Sequence, residues 1–105
     1  MAPYTFLNTD SDVTIPESGA RNKTVFEDES LRVIAFGIAA DHAIPPHTAP
    51  IPIVLYFVSG EAEVTAGDDT LSAQAGAFIH MEARLLHGIH AKTPVKMLVL
   101  MLKQK

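Results

Sequence analysis

The sequence has no cysteine among its 105 residues. Disulfide bonds and thiolate chemistry are therefore excluded, and a cytoplasmic location is the expectation for such a chain. No apolar run reaches the roughly 20 residues that a membrane-spanning helix needs, so we expect no membrane partner. The first residues, MAPYTFLNTDSD, also lack the basic start and apolar stretch of a secretory signal.

Positive charge is scarce as well. The chain has 8 Lys and Arg against 12 Asp and Glu, a net charge of −4, and its basic residues form no cluster. This balance argues against nucleic acid as the main partner. We find no Gly-rich phosphate loop and no Ser/His/Asp spacing typical of a nucleophilic site. The length is that of one domain with one core, and we predict a single domain over residues 1–105.

What the sequence does contain is a series of short strand patterns. Residues 61–66 and 70–75 alternate between apolar and polar side chains, as half-buried strands do. Residues 40–52 hold four of the seven prolines, too many for a helix and unsuited to the middle of a sheet. Roughly eight to ten short strands separated by turns predict an all-β sandwich or barrel. We place its core at residues 31–102, after an N-terminal segment at 1–23.

Three of the predicted strands are apolar on both faces: VIAFGIAA (33–40), IVLYFV (53–58) and KMLVLML (96–102). In an antiparallel sheet with one face in water, every second residue should be polar. The second face of these strands is therefore expected to be covered. We predict that a second copy of the chain covers it in a homodimer; the alternative is that the N-terminal segment folds over it.

The stretch IPPHTAPIPIVLYFVSG, followed by GAFIHMEARLLHGIHA, resembles the two consecutive sequence motifs of the cupins. The first motif of that family has a glycine, a His-x-His pair, a glutamate and a closing glycine; Gly37, His47 and Gly60 fill three of these places. The second motif has an opening glycine and a histidine, here Gly76 and His87. The resemblance implies a single-domain cupin jelly roll, also called a double-stranded β-helix barrel.

The departures from the motifs concern the metal ligands. In the family, a metal is held by the two histidines and the glutamate of the first motif and the histidine of the second. Ala49 stands in the place of the second histidine, and Ile53 or a neighbour in that of the glutamate. The resemblance therefore implies that only His47 and His87 remain, and that the metal site is reduced or absent.

A third donor would be needed to restore a metal site, because stable transition-metal sites usually have at least three protein ligands. His42 is the first candidate, since the Pro-Pro bend before His47 could fold it back. His80 is the second, and its face depends on strand register. His90 lies at odd spacing from His87 and is expected on the opposite face. Three imidazoles would suit a divalent Zn, Fe, Cu or Ni ion.

An apolar pocket with two polar fixing points suits a small-molecule ligand. Besides His47 and His87, the residues expected in its wall are apolar or aromatic: Ile53, Leu55, Tyr56, Phe57, Phe78 and Met81. The sequence does not decide which alternate set of each strand faces inward. We favour a small-molecule-binding or sensing protein. One alternative is a metal-dependent enzyme, dioxygenase-like or isomerase-like, with His47, His87 and a substitute ligand. Another is an interaction module whose pocket is filled by its own side chains.

Overall fold

The computed structural model describes residues 3–104, so residues 1, 2 and 105 of the predicted domain lie outside the described residues. Along this part of the chain one short helix is followed by nine strands. In order they are α1 (Thr9–Asp12), β1 (Ala20–Glu27), β2 (Leu31–Ile38), β3 (Ala43–His47), β4 (Ile53–Ser59), β5 (Glu61–Ala66), β6 (Asp69–Gln74), β7 (Phe78–Met81), β8 (His87–Ala91) and β9 (Val95–Leu102). The first strand thus begins inside the predicted N-terminal segment.

The strands form two sheets that enclose the core between them. A five-stranded sheet has the order β1-β2-β9-β4-β7, and a four-stranded sheet has the order β3-β8-β5-β6. The strand pairs within both sheets are antiparallel. The buried core cluster combines residues of both sheets, such as Leu55 and Phe57 from one and Val64 and Ile89 from the other. The predicted all-β jelly-roll barrel is confirmed.

Alternation of side chains decides which residues reach this core. Ala62 and Val64 of β5 are buried. Glu61 and Glu63 point to the other face of the strand, where Glu61 is exposed. The neighbouring β6 follows the same rule, and its Ala73 lies opposite Ala62 in the core. These strands therefore fold as their sequence pattern predicts.

The proline-rich segment forms an edge strand. β3 contains Pro45 and Pro46 and lies at one edge of the four-stranded sheet, where a missing backbone N–H costs no ladder hydrogen bond. Its pairing with β8 is irregular between Ile44 and His47. The prolines thus exclude β3 from the middle of the sheet but not from the sheet itself.

Several connections meet at one end of the barrel, which we call the open end. The Arg84 N–H donates to Ala49 O at 2.8 Å and the Gly67 N–H donates to Leu86 O at 2.7 Å. The β3–β4, β5–β6 and β7–β8 connections are thereby held side by side. β3 ends at this rim and β8 begins there. The two strands that carry the motif histidines therefore meet at the open end.

Residues 3–19, the N-terminal arm, cross part of the outside of the five-stranded sheet. The backbone of Thr14 passes so close to Gly37 that a Cβ there would lie 1.8 Å from Thr14 O. Val13 is buried by this contact, and Lys96 Nζ donates to Asp10 O at 2.7 Å. The later part of the arm thus covers the end of β2 and β9 that lies away from the open end. Its first residues, Tyr4 and Leu7 among them, border Leu31 and Val33 towards the other end of β2.

α1 is a single turn within this arm, and the carboxamide oxygen of Asn8 caps it by accepting from the Asp10 N–H at 3.2 Å. Nowhere in residues 3–104 does a helix have the length and apolar character needed to cross a membrane.

Replacing Gly37 with Ala should lower the free energy of unfolding by about 1–3 kcal/mol, the usual cost of overpacking. The added methyl group would overlap Thr14 O, so the arm would have to move away from the sheet. Urea denaturation of variant and wild type measures the difference. Gly88→Ala is the matched control, since its Cβ would meet its nearest atom at 3.1 Å and should cost less. An equal loss in both variants would contradict the role given to the arm.

Candidate functional site

A cavity of about 210 Å³ lies inside the barrel towards the open end. Eleven residues from both sheets line it: Ile34, Phe36, Ile44, His47, Ile53, Leu55, His87, Ile89, Met97, Val99 and Met101. Among these eleven side chains, those of His47 and His87 alone contain nitrogen, and none contains oxygen. The cavity is therefore an apolar space with two polar points in its wall.

His87 is the buried member of the pair. It opens β8 on the inner face and is 4% exposed. Its Nδ1 lies 2.9 Å from Leu85 O. A carbonyl oxygen can only accept a hydrogen bond, so Nδ1 carries the proton and donates. In the neutral imidazole, the lone pair then lies on Nε2, across the ring.

His47 closes β3 at the rim and is exposed to solvent on its outer side. Its Nδ1–H donates to Pro45 O at 3.0 Å, which repeats the arrangement of His87. The β3–β8 register places the two residues opposite one another. Their ring centroids are 4.4 Å apart with the planes inclined at 58°. The structure thus brings His47 and His87 together with Nε2 as the reactive nitrogen of each.

His42 lies at the other end of the strand pair. Its carbonyl oxygen accepts from the Ala91 N–H at 3.0 Å. Ala91 ends β8, about 13 Å from His87 at roughly 3.3 Å per residue. The Pro-Pro segment runs on as an extended strand, so it separates His42 from His47 instead of folding it back.

The other two histidines lie on outer faces. His80 pairs with Val54 of β4, whose neighbours Ile53 and Leu55 point inward, so His80 points outward. His90 is exposed on the outside of the four-stranded sheet, opposite in direction to His87, as its odd spacing predicts. In the part of the chain from residue 3 to 104, no three His, Cys, Asp or Glu side chains are grouped closely enough to hold a metal ion.

The pocket wall expected from the sequence needs correction at four residues, two of which point outward. Tyr56 and Phe78 pair with each other on the outside of the five-stranded sheet, where they are 38% and 66% exposed. The reason is register: odd-numbered residues of β4 point inward, and Tyr56 points the other way. Phe57 and Met81 do point inward, but they are packed in the core and do not line the cavity.

Sequence reasoning missed much of the actual wall, including Met97, Val99 and Met101 of β9. These three occupy alternate positions on one face, which is the signal that could have grouped them. The sequence alone could not distinguish that face from the one formed by Leu98 and Leu100, because both are apolar.

Comparison with known proteins agrees with this architecture. The family model described as "Cupin domain" matches residues 36–101. A search of curated proteins gives no significant match. Among solved structures, a conserved protein of unknown function from Streptococcus pyogenes is 23% identical, with a TM-score of 0.86 over 100% of this chain and 92% of that one.

Two further solved structures are similar over nearly the whole chain. An RmlC-like cupin protein from Desulfovibrio desulfuricans is 25% identical, with a TM-score of 0.80 over 97% of this chain and 96% of that one. KdgF from Halomonas sp. is 20% identical, with a TM-score of 0.82 over 97% and 96% of the two chains. Because the family model spans well over half of the sequence and the barrel matches these folds, the chain belongs to the cupin family.

Proposed function

We propose that this cupin binds or senses a small molecule in the barrel cavity, with a reduced or absent metal site. The observation that carries the proposal is the shared hydrogen-bond pattern of the histidine pair, His47 and His87. Both Nδ1–H groups are bonded to backbone carbonyls, so each neutral ring presents an acceptor at Nε2. The cavity therefore offers two acceptors in an otherwise apolar wall.

These features define the chemistry of the ligand. A ligand with an O–H or N–H group can donate to Nε2, whereas a carbonyl or ether in the same place leaves the acceptors unpaired, which costs free energy. The volume of about 210 Å³ exceeds the roughly 150 Å³ of an engineered apolar cavity that binds benzene. We therefore propose a ligand with a single ring or a short chain and one protic group.

A divalent Zn, Fe, Cu or Ni ion fits the residues poorly. Ala49, and Ile53 or a neighbour, stand where the first motif supplies ligands, and none of these side chains can donate to a metal. His42, the substitute third ligand considered from the sequence, lies at the far end of β3. This arrangement supports the binding or sensing role over the metal-dependent enzyme.

We further propose that the chain forms a homodimer through the outer face of the five-stranded sheet. Leu98 and Leu100 lie on this face opposite Tyr56 and Val54, and Phe78 is exposed beside them. The N-terminal arm crosses β1 and β2 of this sheet, where Tyr4 and Leu7 border Val33, whereas Tyr56 and Phe78 on β4 and β7 are exposed. Contiguous apolar surface of this kind marks interaction sites in soluble proteins. For the compartment we propose the cytoplasm, since a chain without cysteine requires no oxidising environment.

The tautomer assignment can be measured directly. In the neutral state, long-range ¹H–¹⁵N correlation spectra should show His47 and His87 protonated on Nδ1, because each Nδ1–H is held by a carbonyl. The exposed His80 and His90 serve as internal references. Protonation of His87 on Nε2 would contradict the proposed acceptor.

Ligand selectivity tests the proposed chemistry with phenol and its methyl ether, anisole. Phenol should bind roughly fivefold more tightly, since one net hydrogen bond contributes about 1 kcal/mol. NMR titration measures both affinities. The double variant with His47→Ala and His87→Ala should lose the preference, whereas His90→Ala should keep it. Val99→Phe places a larger side chain in the cavity and should weaken the binding of both phenol and anisole. Unchanged binding in this variant would show that the two compounds bind outside the cavity.

The dimer can be tested with Phe78→Glu. This side chain is 66% exposed, so the substitution should leave the fold intact while placing a charge in the interface. Light scattering at tens of micromolar should give a dimer for the wild type and a monomer for the variant. His90→Glu, on the outside of the other sheet, is the control and should remain dimeric. A monomeric wild type would refute the proposal.

A further inference from the structure

A basic side chain lies on the inner face of the barrel at the open end. Arg32 of β2 lies directly opposite Met101 of β9, and Met101 lies directly opposite Ile53 of β4. Opposed residues of an antiparallel pair project to the same face of the sheet. Met101 and Ile53 line the cavity, so Arg32 points inward in the same row. The arginine is therefore placed at the rim, beside the cavity wall.

No other Lys or Arg on the strands of residues 3–104 shares this position. The remaining three lie opposite residues of β2 that face outward beneath the N-terminal arm: Arg21, Lys23 and Lys96. Arg32 is thus the basic residue that the strand register directs towards the interior.

Thr24 of β1 holds the guanidinium of Arg32. The Nε–H and one N–H of Nη2 donate to Thr24 Oγ1 at 3.2 and 3.0 Å. A guanidinium has five N–H donors, so three remain, including a parallel pair at its end from Nη1 and Nη2. Such a pair matches the two oxygens of a carboxylate. Arg32 therefore presents an oriented site for an anion.

The acidic residues that precede β2 are engaged elsewhere. Glu27, opposite Arg32 in the register, forms an ion pair with Lys103 at 2.7 Å. Lys103 accordingly lowers the pKa of Glu27 more than Arg32 does. Asp28 accepts from two backbone N–H groups of its own turn. Within residues 3–104, Arg32 forms no ion pair with Asp or Glu, so its remaining donors can meet an anion from outside the chain.

We propose that the ligand of this cavity is a small carboxylic acid, with its carboxylate on Nη1 and Nη2 of Arg32 and its protic group on the histidine pair. This inference rests on the proposed function and names the class of its ligand. Arg32 belongs to the five-stranded sheet and the histidines to the four-stranded sheet, and packed sheets lie about 10 Å apart. The ligand therefore carries its two polar groups at opposite ends of a short apolar body. Arg32 acts as the residue that determines specificity for the acid.

The test compares 4-hydroxybenzoate, 4-hydroxybenzamide and 4-methoxybenzoate, in which the two substituents stand at opposite ends of one ring. NMR titration of the full-length protein at pH 7 measures the three affinities. The hydroxy acid should bind about tenfold more tightly than the amide, because a charge-assisted pair of hydrogen bonds is stronger than a neutral one. This preference should shrink as salt is added, since the rim is open to solvent.

Variants assign the preference to Arg32. Arg32→Gln should reduce the preference for the acid over the amide to about twofold or less, as expected when the charged partner is removed. Arg32→Lys keeps the charge without the paired N–H groups and should retain an intermediate preference. Arg21→Gln removes the same charge from the outward face of β1 and is the matched control, with the tenfold preference unchanged.

Two results would overturn the carboxylic-acid proposal. One is equal affinity for 4-hydroxybenzoate and 4-hydroxybenzamide in the wild type. The other is loss of the preference in Arg84→Gln but not in Arg32→Gln, because the anion would then bind at the β7–β8 connection.

Failure of the proposed function gives a different pattern. If 4-methoxybenzoate binds as tightly as 4-hydroxybenzoate while the amide binds weakly, the histidine acceptors are refuted and the assignment of Arg32 stands. If the methoxy acid binds weakly and the amide binds as tightly as the hydroxy acid, the role of Arg32 alone is refuted.

Discussion

The pairing of β3 with β8 at the open end is the interaction on which the candidate site depends. It places His47 opposite His87, with ring centroids 4.4 Å apart. The same backbone segments supply the two carbonyls that hold the Nδ1 protons. Because β3 is an edge strand, its prolines cost the sheet little. The geometry of the histidine pair thus follows from main-chain pairing and requires no additional polar side chain to orient the rings.

The fold could be read from the sequence, and the details of the site could not. Alternation in β5 and β6 identified their inner faces because one face is polar and the other is apolar. The same reasoning fails for β4, where both faces are apolar and Tyr56 could be placed on either. His42 was misplaced for a different reason: the Pro-Pro segment fits a bend as well as an edge strand, and only the pairing with β8 shows it extended. His47 and His87 came from the resemblance to the cupin motifs.

The cavity wall is apolar apart from the histidine pair. Its lining residues include no carboxylate and no thiolate. Each Nδ1–H is bonded to a backbone carbonyl, so the neutral form of each ring offers its Nε2 lone pair as an acceptor. The small-molecule proposal depends on this arrangement.

The strand β9 links the cavity to the proposed dimer face. Its odd-numbered residues, including Met97 and Met101, point inward, while Leu98 and Leu100 point outward on the same backbone. In a close-packed sheet, a shift that repacks one face changes the positions of side chains on the other. In the proposed dimer, contacts on the outer leucines would restrain β9, and with it the apolar wall that faces the histidine pair. The two proposals thus give the double-sided apolar character of this strand one physical reason on each face: a ligand within and a second copy of the chain outside.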